Sequence, residues 1–173
     1  MFSRKNSEAR FRRDLAQVFP RLWRYCLTLT ANRADADDLA QAACLRALER
    51  WEQFEPGTRI DRWLFRIAQR IWLNELRAAR IRQGGGMAPV DELDLIDDRA
   101  DVEMNISARE VLRQVMRLPE AQRSVVLLVY VEGYSYKEAA DIIEIPIGTV
   151  MSRLAAARKA LVRSEDSEAS KKA

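Results

Sequence analysis

The chain has 173 residues, enough for one ordinary domain or two small helical ones. Apolar residues make up 48% and charged residues 32%, with only 6 glycines and 5 prolines, so a core can form and helices are favoured over turn-rich sheets. Histidine is absent, which removes the commonest general base and the commonest metal ligand; no metal and no other cofactor is expected.

The net charge of +3 is modest, but it is unevenly spread. Residues 1–83 carry 17 Lys/Arg against 10 Asp/Glu, residues 84–104 one Arg against seven acids, residues 105–163 nine basic residues against six acidic, and residues 164–173 two Lys against three acids. This pattern predicts an all-α protein of two small basic helical domains, 1–83 and 105–163, joined by a flexible acidic linker at 84–104 and followed by a short tail. The linker opens on Gly84-Gly85-Gly86, which stops a helix. Its roughly 20 residues reach about 70 Å when extended, on the order of 20 base pairs of duplex. Cys26 and Cys44 are far apart in sequence and sit among apolar helical positions, so reduced thiols in a core are expected. No stretch is long and apolar enough to span a membrane, and residues 1–14 have no apolar signal segment, so a cytoplasmic protein is expected.

In chain order, Phe11, Leu15, Val18, Leu22, Cys26 and Leu29 recur at helical spacing, with a break or kink expected at Pro20. A second helix is expected from about Asp35, with Leu39, Ala43, Ala47, Trp51 and Phe54 on its apolar face. Glu55-Pro56-Gly57 reads as a loop. A third helix follows Thr58, which forms a capping-box-like pair with Asp61, and runs to about Arg82. On it, Arg59, Arg62, Arg66, Arg70, Arg77 and Arg80 keep near one face. Interleaved arginines and aromatic rings suit single-stranded nucleic acid. Trp63 and Phe65 are expected in the core, leaving Trp72 to meet a strand and Asn74 to read a base edge.

Ile106, Val111, Val115 and Leu118 mark the first helix of the second domain; Pro119 opens the next, which Gly133 ends. Then come helices at about 136–143 and 147–163. Ser135 and Glu138 form a capping box, and Glu144-Ile145-Pro146 makes a tight turn. Ala139, Ala140 and Ile143 face Val150, Leu154, Ala157 and Leu161. This is a helix-turn-helix, whose second helix enters the major groove with its N-terminal residues at base edges. Arg153, Arg158 and Lys159 are placed to neutralise phosphates, with Lys137 a backbone contact at the first helix.

The stretch LPEAQRSVVLLVYVEGYSYKEAADIIEIPIGTVMSRLAAARKAL resembles region 4 of extracytoplasmic-function sigma factors. Two earlier stretches, LTANRADADDLAQAACLRAL and FEPGTRIDRWLFRIAQRIWLNELRAARIR, independently resemble region 2 of the same family. The resemblance covers most of residues 10–163. It implies a non-catalytic specificity subunit that joins core RNA polymerase, reads the −35 promoter element with region 4, and melts and reads the −10 element with region 2. Carried onto this chain, it gives Lys137, Thr149, Ser152, Arg153, Arg158 and Lys159 to the −35 DNA. It gives Arg62, Arg66, Arg70, Trp72, Asn74 and Arg77 to the −10 DNA. Asp38, Leu39 and Gln41 match the segment that docks on the polymerase β′ clamp; the β flap is the expected partner of region 4. The Phe54–Ile60 loop resembles the loop that captures a flipped −10 base.

The chain departs from the family pattern in several places. Arg70 stands where Asn is usual, Ala42 where Glu is frequent, and Met151, Ala155 and Ala156 where Arg, an aromatic residue and Arg are common. Readout of the −35 element is therefore expected to lean on DNA shape and backbone contacts, and tight binding on polymerase. The resemblance also implies an anti-sigma partner. A stand-alone helix-turn-helix regulator is the alternative, but it leaves the region 2 match without a role. An enzyme is not expected: no phosphate-binding loop or nucleophile motif is present.

Overall fold

The computed structural model describes residues 2–82 and 113–172, and every regular element within them is helical. The chain divides into two units between Leu93 and Asp94. The acidic segment 84–104, Ile106 and Val111 lie outside the described residues.

The N-terminal unit packs three helices against one another: α1 (Phe2–Thr30), α2 (Arg33–Glu49) and α3 (Ile60–Arg82). Phe11, Leu22, Tyr25, Cys26 and Leu29 of α1 point inward at the spacing expected. The expected break at Pro20 does not occur, because α1 runs through it. Pro20 withholds the N–H that the Ala16 carbonyl would receive, but both residues are exposed, so water satisfies that carbonyl. The α1–α2 turn needs only Ala31, at φ 55°, and Asn32. The Asn32 side chain caps α2 by accepting the Asp35 N–H at 3.0 Å.

The inner face of α2 is Ala36, Leu39, Ala40, Ala43 and Ala47. Four of these five are alanine, which lets the helices approach closely. Trp51 and Phe54 were expected to continue this face, but the helix ends at Glu49 and Trp51–Gln53 forms a 3-10 turn. That turn carries Phe54 onto Phe11 and Trp63, with ring centroids 5.6 Å from each.

The expected Thr58–Asp61 capping pair does not form either. The Thr58 hydroxyl donates back to the Glu55 carbonyl at 2.7 Å. Asp61, only 5% exposed, instead meets Arg21 of α1 at 2.7 Å and Arg59 at 2.8 Å, and accepts the Arg62 N–H. Deeper in the core, Tyr25 stacks on Phe65 at 4.8 Å and its hydroxyl donates to Gln69 Oε1 at 2.6 Å. Both cysteines are free. Burial, with Cys44 nearby, pushes the Cys26 thiol up to about 12, and burial also raises Cys44. Both are therefore protonated, unreactive thiols at neutral pH.

In the C-terminal unit, residues 113–116 are helical. Then come α4 (Glu120–Val126), a π turn at Leu127–Val131, α5 (Tyr136–Ile143) and α6 (Ile147–Lys172). Pro119 precedes α4 as its N-cap. The π turn is closed by the Glu132 N–H on the Leu127 carbonyl at 2.9 Å, and Gly133 at φ +72° lets the chain leave it. Val125, Leu128, Tyr134, Ile142, Val150 and Leu154 form the core. Arg123 is buried beside them as a structural cation: its guanidinium donates to the carbonyls of Met116 and Leu118 at 3.1 and 2.9 Å, tying off the preceding helix.

Pro20→Ala restores a hydrogen bond to α1 without disturbing any buried contact. It is expected to stabilise the N-terminal unit by about 1–3 kcal/mol, read as a higher urea midpoint for that unit's transition.

Candidate nucleic-acid interface

Local chemistry builds the helix-turn-helix. The Ser135 hydroxyl accepts the Glu138 N–H at 3.2 Å while the Glu138 carboxylate accepts the Ser135 N–H at 2.9 Å, so the expected capping box is formed. At the other end of α5, Glu144 adopts φ 62° and the Ile145 N–H reaches the Ala140 carbonyl at 3.1 Å. This left-handed residue turns the chain, and Pro146 starts α6. Ala139, Ala140 and Ile143 meet Val150, Leu154 and Ala157 in a buried seam, while Leu161 is half-buried.

The six region 4 candidates are not equivalent. Lys137, Ser152, Arg158 and Lys159 are exposed, while Thr149 is half-buried. The Ser152 hydroxyl donates to the Thr149 carbonyl at 3.0 Å. Arg153 is half-buried on a different flank of α6, within electrostatic reach of Glu120 at the start of α4. This attraction links α6 to the start of α4, which the sequence did not reveal.

On α3, Arg70, Asn74 and Arg77 are exposed and Arg62 and Arg66 half-buried, and the Arg77 guanidinium lies 3.5 Å from Asn74 Oδ1. A groove of 490 Å³ is lined by Arg59, Arg62, Trp63 and Arg66 together with Gln53, Glu55, Gly57 and Thr58 of the loop. The aromatic residue beside the arginines is thus Trp63, which sequence reasoning had assigned to the core. Trp63 is in fact half-buried: it leans on Phe11 and Phe54 and also lines the groove. Trp72 does not join them. It lies two helical turns beyond Phe65 and is half-buried, outside the groove lining. Its indole Nε1 is buried and has no hydrogen-bond partner.

On α2, Asp38 and Gln41 are exposed and Leu45 is 61% exposed. Leu39 is 1% exposed and belongs to the core. It anchors this face from behind and is not part of the surface. Glu75 of α3 lies beside Asp35 and Asp38; partial burial, then those two carboxylates, raise its carboxyl above the ordinary value. It extends the acidic side of the face, and only the packing of α3 on α2 reveals it.

One unit thus presents a helix-turn-helix and the other an arginine-lined groove and, separately, a mixed polar and aliphatic helix face. These are the two modules of a promoter-reading protein. Residues 15–81 match sigma-70 region 2 and residues 108–161 match sigma-70 region 4. The chain is 30% identical over 155 residues to the ECF RNA polymerase sigma factor EcfG of Rhodopseudomonas palustris, covering 87% of this chain and 82% of that one. It is 34% identical over 143 residues to the ECF RNA polymerase sigma factor SigL of Mycobacterium tuberculosis, covering 81% and 80%. The sigma factor RpoE of Bartonella quintana, solved in complex with the anti-sigma factor NepR, has the same fold, with a TM-score of 0.71 at 24% identity over 87% of this chain and 93% of that one. The chain belongs to the ECF RNA polymerase sigma factors. It is a promoter-directing subunit that works with core RNA polymerase.

Burial raises the Glu120 carboxyl above its ordinary 4.5, with Arg123 and then Arg153 pulling the other way. A raised folded value means that the resulting stability is complete below the ordinary value and is lost as pH rises through the folded one. Glu120→Gln keeps a neutral side chain throughout. As pH rises above the ordinary 4.5, the wild-type C-terminal unit is expected to lose stability relative to Glu120→Gln in urea titrations; a constant difference would contradict the assignment.

Proposed function

We propose that the two units divide promoter recognition between them, residues 1–83 acting on the −10 element and on core polymerase and residues 105–163 on the −35 element. The observation that carries this reading is the convergence of Arg59, Arg62, Arg66 and Trp63 around one groove under the Phe54–Ile60 loop. Cations beside an aromatic face suit a melted strand, whose phosphates pair with arginine and whose unstacked bases meet a ring. A flipped −10 base enters this groove, while Arg70, Asn74 and Arg77 follow the strand along α3.

Asp38, Gln41 and Leu45, with Glu75 beside them, form the face that docks on the β′ clamp, and the C-terminal unit meets the β flap. Lys137, Arg158 and Lys159 pair with phosphates flanking the −35 element, and Thr149, Ser152 and Arg153 steady α6 in the groove. The chain itself performs no chemistry; catalysis belongs to polymerase. It works in the cytoplasm, and no helix among the described residues is long and apolar enough to cross a membrane. The anti-sigma factor in the RpoE structure supports a partner of the same class here, covering these surfaces until transcription is required.

Run-off transcription with core polymerase tests the division of labour. Arg62→Ala with Arg66→Ala is expected to keep co-elution with core but lose transcription at least tenfold. Asp38→Ala with Gln41→Ala is expected to weaken co-elution itself. Lys137→Ala and Lys159→Ala are each expected to reduce the salt slope of promoter binding by about 1, uniformly across promoter sequences. Transcription unaffected by the paired arginine change would overturn the −10 assignment.

A further inference from the structure

The recognition helix α6 presents apolar side chains where polar readers are expected. Ile147 is 48% exposed and Met151, one turn later, is 52% exposed. Ala155, another turn on, is also exposed. Residues four apart on a helix are neighbours, so the three form a short apolar stripe beginning at the helix N-terminus. The fold does not use this stripe, because the buried side of α6 is Val150, Leu154 and Ala157.

Gly148 points the same way. It lies within α6 at helical φ, and a Cβ built there would meet nothing within 4 Å. The unit therefore has no internal need for glycine at this position, although glycine weakens a helix relative to alanine. A missing side chain in the first turn, next to two exposed apolar residues, leaves room for something that approaches from outside.

Charge identifies that approaching surface. Lys137, Arg158 and Lys159 are exposed in the same unit, which suits a polyanion. The position of these cations along the helix limits what they can read. Lys159 is twelve residues beyond Ile147, about 18 Å along the axis, whereas the major groove is about 12 Å wide and 8.5 Å deep. With the helix N-terminus at the bases, Lys159 and Arg158 fall at the groove's edge, among phosphates. Arg153, the basic residue nearest the bases, is half-buried near Glu120. Among the exposed residues of the first two turns there is thus no arginine or lysine for guanine. They offer a thioether, a branched alkyl group and a methyl group. In the major groove, thymine alone presents an apolar group, its C5-methyl.

We propose that Met151, with Ile147 one turn before it and Ala155 one turn after it, reads thymine in the −35 element through the C5-methyl group, Gly148 providing the close approach. This rests on α6 being the −35 reading helix. It replaces the expectation of readout by shape and backbone: Met151, which stands where Arg is common, is exposed and apolar and carries base information of its own.

The test uses holoenzyme assembled from the full chain and core polymerase, with a promoter library randomised over the −35 element and bound sequences read out. Thymine is expected to be enriched at one or two positions. Replacing it there with deoxyuridine, which lacks only the methyl, is expected to weaken binding about fourfold, the effect of one buried methyl group. In Met151→Ala, thymine and deoxyuridine are expected to bind equally. In Met151→Arg, the preferred base is expected to move to guanine. Gly148→Ala should leave thermal stability unchanged or higher while weakening promoter binding. Enrichment in which deoxyuridine equals thymine, or in which Met151→Ala keeps the discrimination, would overturn the proposal and leave the −35 assignment of α6 standing. Absence of any −35 enrichment would overturn both.

Discussion

The Asp61 carboxylate is held from three sides: Arg21 of α1 at 2.7 Å, Arg59 at the end of the loop at 2.8 Å, and the Arg62 N–H at 2.8 Å. The start of α3, the loop before it and the middle of α1 all meet at this group. The Arg21 guanidinium also lies 6.0 Å from the Phe65 ring, and Phe65 stacks on Tyr25, which donates to Gln69. One buried charge therefore connects the loop that rims the arginine-lined groove to the aromatic centre of the unit. Asp61 is the buried member, while Arg21 and Arg59 keep 31% and 47% of their side chains exposed, so water screens part of the attraction. The energy that holds the three helices together still comes from apolar burial, at about 1.5–3 kcal/mol for a fully buried large side chain. The ion cluster contributes placement: it fixes where the first turn of α3 begins, and with it Arg62, Trp63 and Arg66.

The C-terminal unit achieves its placement by different means. The Ser135–Glu138 capping box starts α5, Glu144 in the left-handed region turns the chain, and Pro146 starts α6. These are local backbone devices, each complete within four residues. A longer-range electrostatic element is the group of Glu120, Arg123 and Arg153, which links α4 to α6.

That contrast explains what could be read from the amino acids alone. The helix-turn-helix was legible almost to the residue, since caps, turn and apolar spacing are all local: α5 occupies 136–143 as expected, and α6 starts at Ile147 but runs on to Lys172. The three N-terminal helices were legible from their periodicity. The side of α3 that faces inward was not. Its arginines recur near one face, and only packing against Phe11 and Phe54 shows that Trp63, at the border of that face, also lines the groove. Leu39 shares a motif with Asp38 and Gln41, yet one position along a helix is about 100°, enough to carry it from the surface to the core. Asp61 read as a cap because its sequence neighbour Thr58 suggested one; its true partner, Arg21, is forty residues away in the chain. Pro20 read as a break because the rule assumes a buried or hydrogen-bonded helix face, and Ala16 and Pro20 both face water.

The arginine-lined groove depends on the Asp61 cluster, and permanganate reactivity of thymines in the −10 element tests this most directly. With Asp61→Asn holoenzyme, reactivity is expected to fall sharply while co-elution with core polymerase and protection of the −35 element persist, because α2 and the C-terminal unit do not use this group. Undiminished permanganate reactivity in that holoenzyme would contradict the account.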